Sequence, residues 1–140
     1  MITMTALVVL FFANGANPTS VVVVDLGGRE IPEWVLRNNV TIAEAPSGKA
    51  GRLVRFHVTD WPNVYFRAPN GTWDWSSYTV ITVALANPGE VPVPVAIRVD
   101  NEGADGTNNC YTAGGTVPAK GSLDLTLRFD NGDNSYPPNR

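Results

Sequence analysis

An all-β chain folded as a two-sheet antiparallel β-sandwich is the architecture this sequence predicts, and three observations predict it. Short runs of β-branched and aromatic residues recur, Gly, Pro and Asn clusters separate them, and no helical period persists long enough to bury a helix face. A chain of 140 residues fits one domain, able to bury roughly 68–70% of its unfolded surface behind a single core.

The elements follow in order. ALVVLFFANGA has the apolar stretch of a signal peptide but lacks the basic residues that precede one, so Leu7–Ala13 reads as a strand. Further strands are expected at Val21–Leu26, Val40–Ala45, Arg52–Thr59, Asn63–Arg67, Tyr78–Asn87, Val93–Asn101, Cys110–Gly114 and Ser122–Asp130. Between them NPTS, DLGG, APSGKAG, DWPN, APNG, ANPGE and PAKG place turn formers where a chain reverses. Only Pro32–Asn38 offers room for a helical turn. The sandwich is expected to occupy residues 1–130, with 131–140 (NGDNSYPPNR) as a polar tail or linker.

Alternation assigns the faces. In SLDLTLRFD, Leu123, Leu125, Leu127 and Phe129 point one way, and in VPVAIRVDN the core side is Val95, Ile97 and Val99, leaving Ala96, Arg98 and Asp100 outside. RLVRFHVT and NVYFR, joined by a tight turn at Asp60-Trp61-Pro62, are expected to pair as a hairpin. That register would set His57 beside Tyr65 and Arg55 beside Arg67, a polar, aromatic, cationic shelf on one rigid sheet.

Composition narrows the function classes. Ten Lys and Arg against 13 Asp and Glu leave no basic footprint for nucleic acid or an anionic membrane, and no apolar run is long enough to span a bilayer as a helix. The single cysteine, Cys110, excludes an internal disulfide framework and a cysteine zinc site, and reads as a small buried side chain. His57 is the only histidine, so a serine triad would have to converge on it from Ser and Asp residues elsewhere, and no G-x-S-x-G elbow occurs. Carboxylates sit mainly at turns and strand ends, where solvated charge accounts for them, and the chain is not expected to be an enzyme.

Two constellations remain. VDNEGADGTNN crowds oxygen donors, and Asp100, Asp105 and Asn108 could hold a structural calcium, although the spacing is not that of an EF-hand and a solvated turn with self-bonded Asx side chains is the favoured explanation of the loop. No cofactor is required. Saccharide recognition needs a flat ring against the sugar's C–H face and planar polar groups for its hydroxyls. Tyr65 and His57 offer rings, Arg55, Arg67 and Arg98 offer forks, and Asp100, Asn101, Asn108 and Tyr111 would close one end.

The order and spacing of several segments carry a resemblance. LVVLFFANGANPTSV, then GRLVRFHVTDWPNVYFRAPNGTWDWSSYTVITVALANPGEVPVPVAIRVDNEGADGTNNCYT, resembles the non-catalytic modules that accompany the barrels of agarase-type and β-galactosidase-type glycoside hydrolases. The likeness covers roughly residues 6–130, and its strongest parts are W-D-x-S-x-Y, A-N-P-G and R-V-D-N-x-G-A-D-G. It implies a jelly-roll, galactose-binding-like sandwich, secreted to the extracellular or periplasmic space beside a glycoside hydrolase catalytic domain in cis. The implied partner is a polysaccharide, an agar-type galactan or related β-glycan, with no nucleic acid and no membrane. A structural accessory domain that packs on the barrel without binding sugar is the alternative. Related modules carry acidic residues where the first strand ends. Here Phe12, Ala13 and Asn14 stand instead, which removes the carboxylates for that calcium.

GTWDWSSY concentrates rings among turn formers. In the resembling modules the position of Trp75 is filled by apolar residues of several kinds, and the strand that follows Tyr78 is the most apolar in the chain. Trp73, Trp75 and Tyr78 are therefore expected to form a corner of the core rather than a ligand platform.

Overall fold

A computed structural model describes residues 2–11, 30–45, 51–57, 61–68, 70–71, 73 and 78–128. Nine strands lie within them: β1 Ile2–Phe11, β2 Val35–Asn38, β3 Val40–Glu44, β4 Arg52–Phe56, β5 Asn63–Phe66, β6 Val80–Ala86, β7 Val93–Asp100, β8 Cys110–Val117 and β9 Ser122–Arg128. No helix occurs among the described residues, and every strand pairing is antiparallel. The chain is all-β and sandwich-like. The expected strand Val21–Leu26, residues Phe12, Ala13 and Asn14, Trp75, Phe129 and the tail 131–140 fall outside the described residues.

One layer is a five-stranded sheet in the order β3-β4-β1-β6-β9, and the other is built from two ribbons, β2-β5 and β7-β8. A single core joins them. Val54, Ile81, Val83, Leu85, Leu125 and Leu127 come from the larger sheet, and Val35, Val93, Ala113 and Val117 from the ribbons. Alternation assigns most of this correctly: Leu125 and Leu127 are buried, and Val95, Ile97 and Val99 pack against the core with Arg98 and Asp100 exposed. At the β8–β9 junction the layers come close enough that a Cβ on Gly115 would meet Leu123 Cδ2 at 2.9 Å.

The expected RLVRFHVT–NVYFR hairpin does not form. A strand has two edges, and those of β4 are taken by β1 and β3, with Ile2 opposite Phe56 on one side and Val40 opposite Phe56 on the other. β5 pairs with β2 instead, Leu36 opposite Tyr65 and Asn38 opposite Asn63. β2 and β3 are one run of chain broken at Asn39, whose φ of 53° is a left-handed turn that asparagine tolerates. β4 pairs with β3 and β5 with β2, so the β2–β3 run leaves the five-stranded sheet and enters the other layer. Strands that switch sheets at such bends are how sandwich corners are made. Pro32–Asn38 is also corrected: a turn closed by the Val35 amide on the Pro32 carbonyl at 2.9 Å opens into β2 and not into a helix.

Two further features fix the layers. Trp34 meets Trp73 edge-on, centroids 5.6 Å apart, and packs at a tilt on Phe66, while the Trp73 indole donates to the Phe66 carbonyl at 3.4 Å. Trp73 and Tyr78, which packs on the core, are the corner expected of GTWDWSSY. Asn87, 2% exposed, donates to the Val91 and Val117 carbonyls and accepts from the Gly89 amide, so the NPGEVP turn is sewn to the end of β8.

Candidate functional site

The residues expected to share one shelf are divided between the two layers. Arg55 is exposed on β4, with His57 one residue beyond the strand, and the His57 ring nitrogen lies 2.9 Å from the Thr41 hydroxyl of β3. Tyr65 and Arg67 belong to the β2-β5 ribbon, Tyr65 facing outward opposite Leu36 and Arg67 donating its backbone amide to the Trp34 carbonyl. His57 beside Tyr65 and Arg55 beside Arg67 are thus corrected, because the strand edges that would bring them together are occupied.

Three of the expected residues lie on outward faces of the ribbon layer. Tyr65 leaves 48% of its surface exposed on the side of β5 opposite the core residues Val64 and Phe66. Arg98 and Asp100, two residues apart on the outward face of β7, form a two-pronged ion pair, Nε to Oδ1 at 2.7 Å and Nη2 to Oδ2 at 2.8 Å. That hydrogen bond is the main cause holding the Arg98 pKa above its ordinary value; burial opposes it, and smaller contributions come from Asp100's charge, Cys110 and the Tyr65 phenol. Gly106, with φ of 88°, passes near enough that a Cβ there would stand 3.4 Å from Arg98 Nη1.

The rest of the loop is satisfied internally. Asp105 Oδ1 accepts from the Thr107 and Asn108 amides at 2.8 and 2.6 Å, Oδ2 accepts from the Asn108 side chain at 2.8 Å, and Asn101 pairs with Asn109 through the backbone at 2.9 Å. These donors, the Asn108 backbone amide first, lower the Asp105 pKa to about 2. Of the three residues expected as calcium ligands, Asp100 is engaged by Arg98, and Asp105 and Asn108 by each other. Among the described residues no three His, Cys, Asp or Glu side chains group as metal ligands. Tyr111 does not close the site: it stands opposite Val99, on the side of β8 that packs against the core. Cys110, opposite Asp100, is wholly buried, as a lone structural thiol should be.

Sequence reading passed over two side chains. Leu36 is 37% exposed beside Tyr65, and Trp61 is 85% exposed, the most open large apolar residue described. Trp61 has φ of 47°, unusual for a bulky residue and contrary to the extended backbone that the following Pro62 normally imposes. Its carbonyl is clamped by the side-chain amides of Asn38 at 3.0 Å and Asn63 at 2.7 Å. The signal was present in DWPN, but it reads there as turn punctuation. Compared with known proteins, the chain matches no family model, no curated protein and no solved structure.

Proposed function

We propose that this chain is a non-catalytic carbohydrate-binding module of jelly-roll, galactose-binding-like type, which holds an attached glycoside hydrolase on a polysaccharide such as an agar-type galactan. One observation carries the reading: an open phenol ring, Tyr65, stands on the outward side of β5, in the same layer whose β7 presents the paired Arg98–Asp100 fork outward. A ring offers a sugar's C–H face an apolar partner, and a guanidinium–carboxylate pair offers hydroxyls donors and acceptors in a planar array. With two of its five N–H groups committed to Asp100, Arg98 keeps donors for a ligand. The ribbon that carries β2 and β3 from one layer to the other supports the jelly-roll topology. Enrichment of enzyme on an insoluble substrate needs only modest affinity, because tethering raises effective concentration. The expected location is extracellular or periplasmic.

The test is retardation in native gels cast with agarose. Retardation lost in Tyr65→Ala, with an unchanged melting temperature, supports the reading. Absence of retardation by agarose and by a panel of other β-glycans removes it and leaves the accessory domain that packs on a catalytic barrel.

A further inference from the structure

The outward side of the β2-β5 ribbon carries more than the Tyr65 ring. Successive outward pairs along it are Leu36 with Tyr65 and Asn38 with Asn63, and immediately beyond them comes Trp61. Residues two apart on a strand lie about 7 Å apart, and the four-residue reach from Tyr65 to Trp61 is at most about 14 Å. Ring, amide pair, ring is therefore a linear order, longer than one sugar unit. Asn38 and Asn63 each donate a side-chain N–H to the Trp61 carbonyl, which holds Trp61's left-handed backbone in place and leaves each amide an acceptor oxygen and a second N–H.

We infer that Trp61, Asn38 and Asn63 form a second saccharide contact continuous with Tyr65, so that the module grips an internal stretch of a linear polysaccharide lying along β5. The inference rests on the carbohydrate-binding reading and adds the ligand class: a chain of several sugar units, not a monosaccharide or a chain end. The chemistry suits that occupant better than a protein surface. In the order Tyr65, Asn63, Trp61 the paired amides of Asn38 and Asn63 come between the two rings, an alternation that follows the repeating C–H faces and hydroxyls of a glycan chain, whereas protein interfaces concentrate their anchors in a dry centre. Trp61 is the element whose backbone depends on its neighbours, because two side-chain amides hold its carbonyl.

The test measures wild type, Trp61→Ala, Trp61→Phe and Asn63→Ala against agarose, neoagarohexaose and neoagarobiose. Trp61→Ala is expected to weaken binding of agarose and the hexasaccharide at least tenfold while changing the disaccharide less than twofold, with Trp61→Phe recovering most of the loss and Asn63→Ala falling between. Equal loss for all three ligands, or no loss with agarose, overturns the inference while leaving the Tyr65 site standing. If wild type binds none of the three or any other glycan, the parent reading fails and the track fails with it. Loss of self-association in Trp61→Ala by sedimentation, with glycan binding intact, assigns the indole to a second copy of the chain and also overturns it. Melting temperatures of the variants, expected within a degree or two of wild type for so exposed a residue, separate these outcomes from misfolding.

Discussion

The Thr41 hydroxyl and the His57 imidazole are hydrogen-bonded at 2.9 Å, which ties the only histidine to β3 of the five-stranded sheet and away from the ribbon that carries Tyr65. The sole imidazole is therefore a surface brace. His57→Ala is expected to cost less than about 1 kcal/mol, as an exposed hydrogen bond does, and to leave retardation in agarose gels unchanged while Tyr65→Ala abolishes it. Equal loss in both variants would show that the two layers contribute to one ligand after all.

Gly115 is required where β8 passes over β9. A methyl group there would come within 2.9 Å of Leu123 Cδ2 and 3.3 Å of Leu125 Cδ1, and Leu125 is itself buried and unable to retreat. Gly115→Ala should destabilise by about 1–2 kcal/mol, the usual cost of overpacking, and Gly115→Val by more. Neighbouring Gly114 faces outward with its nearest obstacle, the Val95 carbonyl, at an ordinary 3.6 Å, so Gly114→Ala is the matched control and should be near neutral. Urea midpoints at constant m-value check the pair; equal effects would mean that the layers do not meet at Gly115.

Asn87 holds three backbone groups with one side chain. Its amide nitrogen donates to Val91 at 2.8 Å and Val117 at 3.4 Å, and its oxygen takes the Gly89 amide at 2.9 Å. Beside it Lys120, itself at φ of 51°, donates to the Pro88 carbonyl at 2.8 Å and pairs with Glu90 at 2.6 Å. The exposed ion pair adds little, whereas stranding buried carbonyls costs about 1–3 kcal/mol each. Asn87→Ala is accordingly expected to lower stability by about 2–3 kcal/mol, Glu90→Gln by less than about 0.5 kcal/mol, and chemical denaturation of the two variants orders them.

How much was legible follows from what a single strand encodes. Period two revealed which side of β7 and β9 faces the core, since Val95, Ile97, Val99, Leu125 and Leu127 need only their own neighbours to declare it. It could not reveal partners. β4 shows the limit: Leu53 and Val54 are both buried, a sign of cover on both faces that suits an interior strand, yet which strands flank it depends on β1, far away in sequence. The same blindness misplaced His57 relative to Tyr65. Trp61 escaped for a different reason, because Trp before Pro in a turn-rich stretch suggests a bend, and only the folded chain shows its side chain left open to solvent.

Acid stability provides a test of the 101–109 loop. Three N–H donors hold the Asp105 carboxylate, Asn108's backbone and side chain and Thr107's backbone, and lower its pKa from 3.8 to about 2. The unfolded chain takes up this proton before the folded one does, so the charged loop favours the fold above about pH 4, and that contribution fades as pH falls through about 2. Because the group is fully exposed, the effect belongs to the loop more than to global stability. Carbon-detected titration should place the Asp105 midpoint near 2, and Asp105→Asn should flatten the loss of amide protection at Thr107 and Asn108 between pH 4 and pH 2. Addition of calcium to the wild type at neutral pH discriminates the two roles drawn for this loop: unchanged Thr107 and Asn108 amide shifts identify a self-bonded turn, and saturable shifts at those amides show that a cation has displaced the donors.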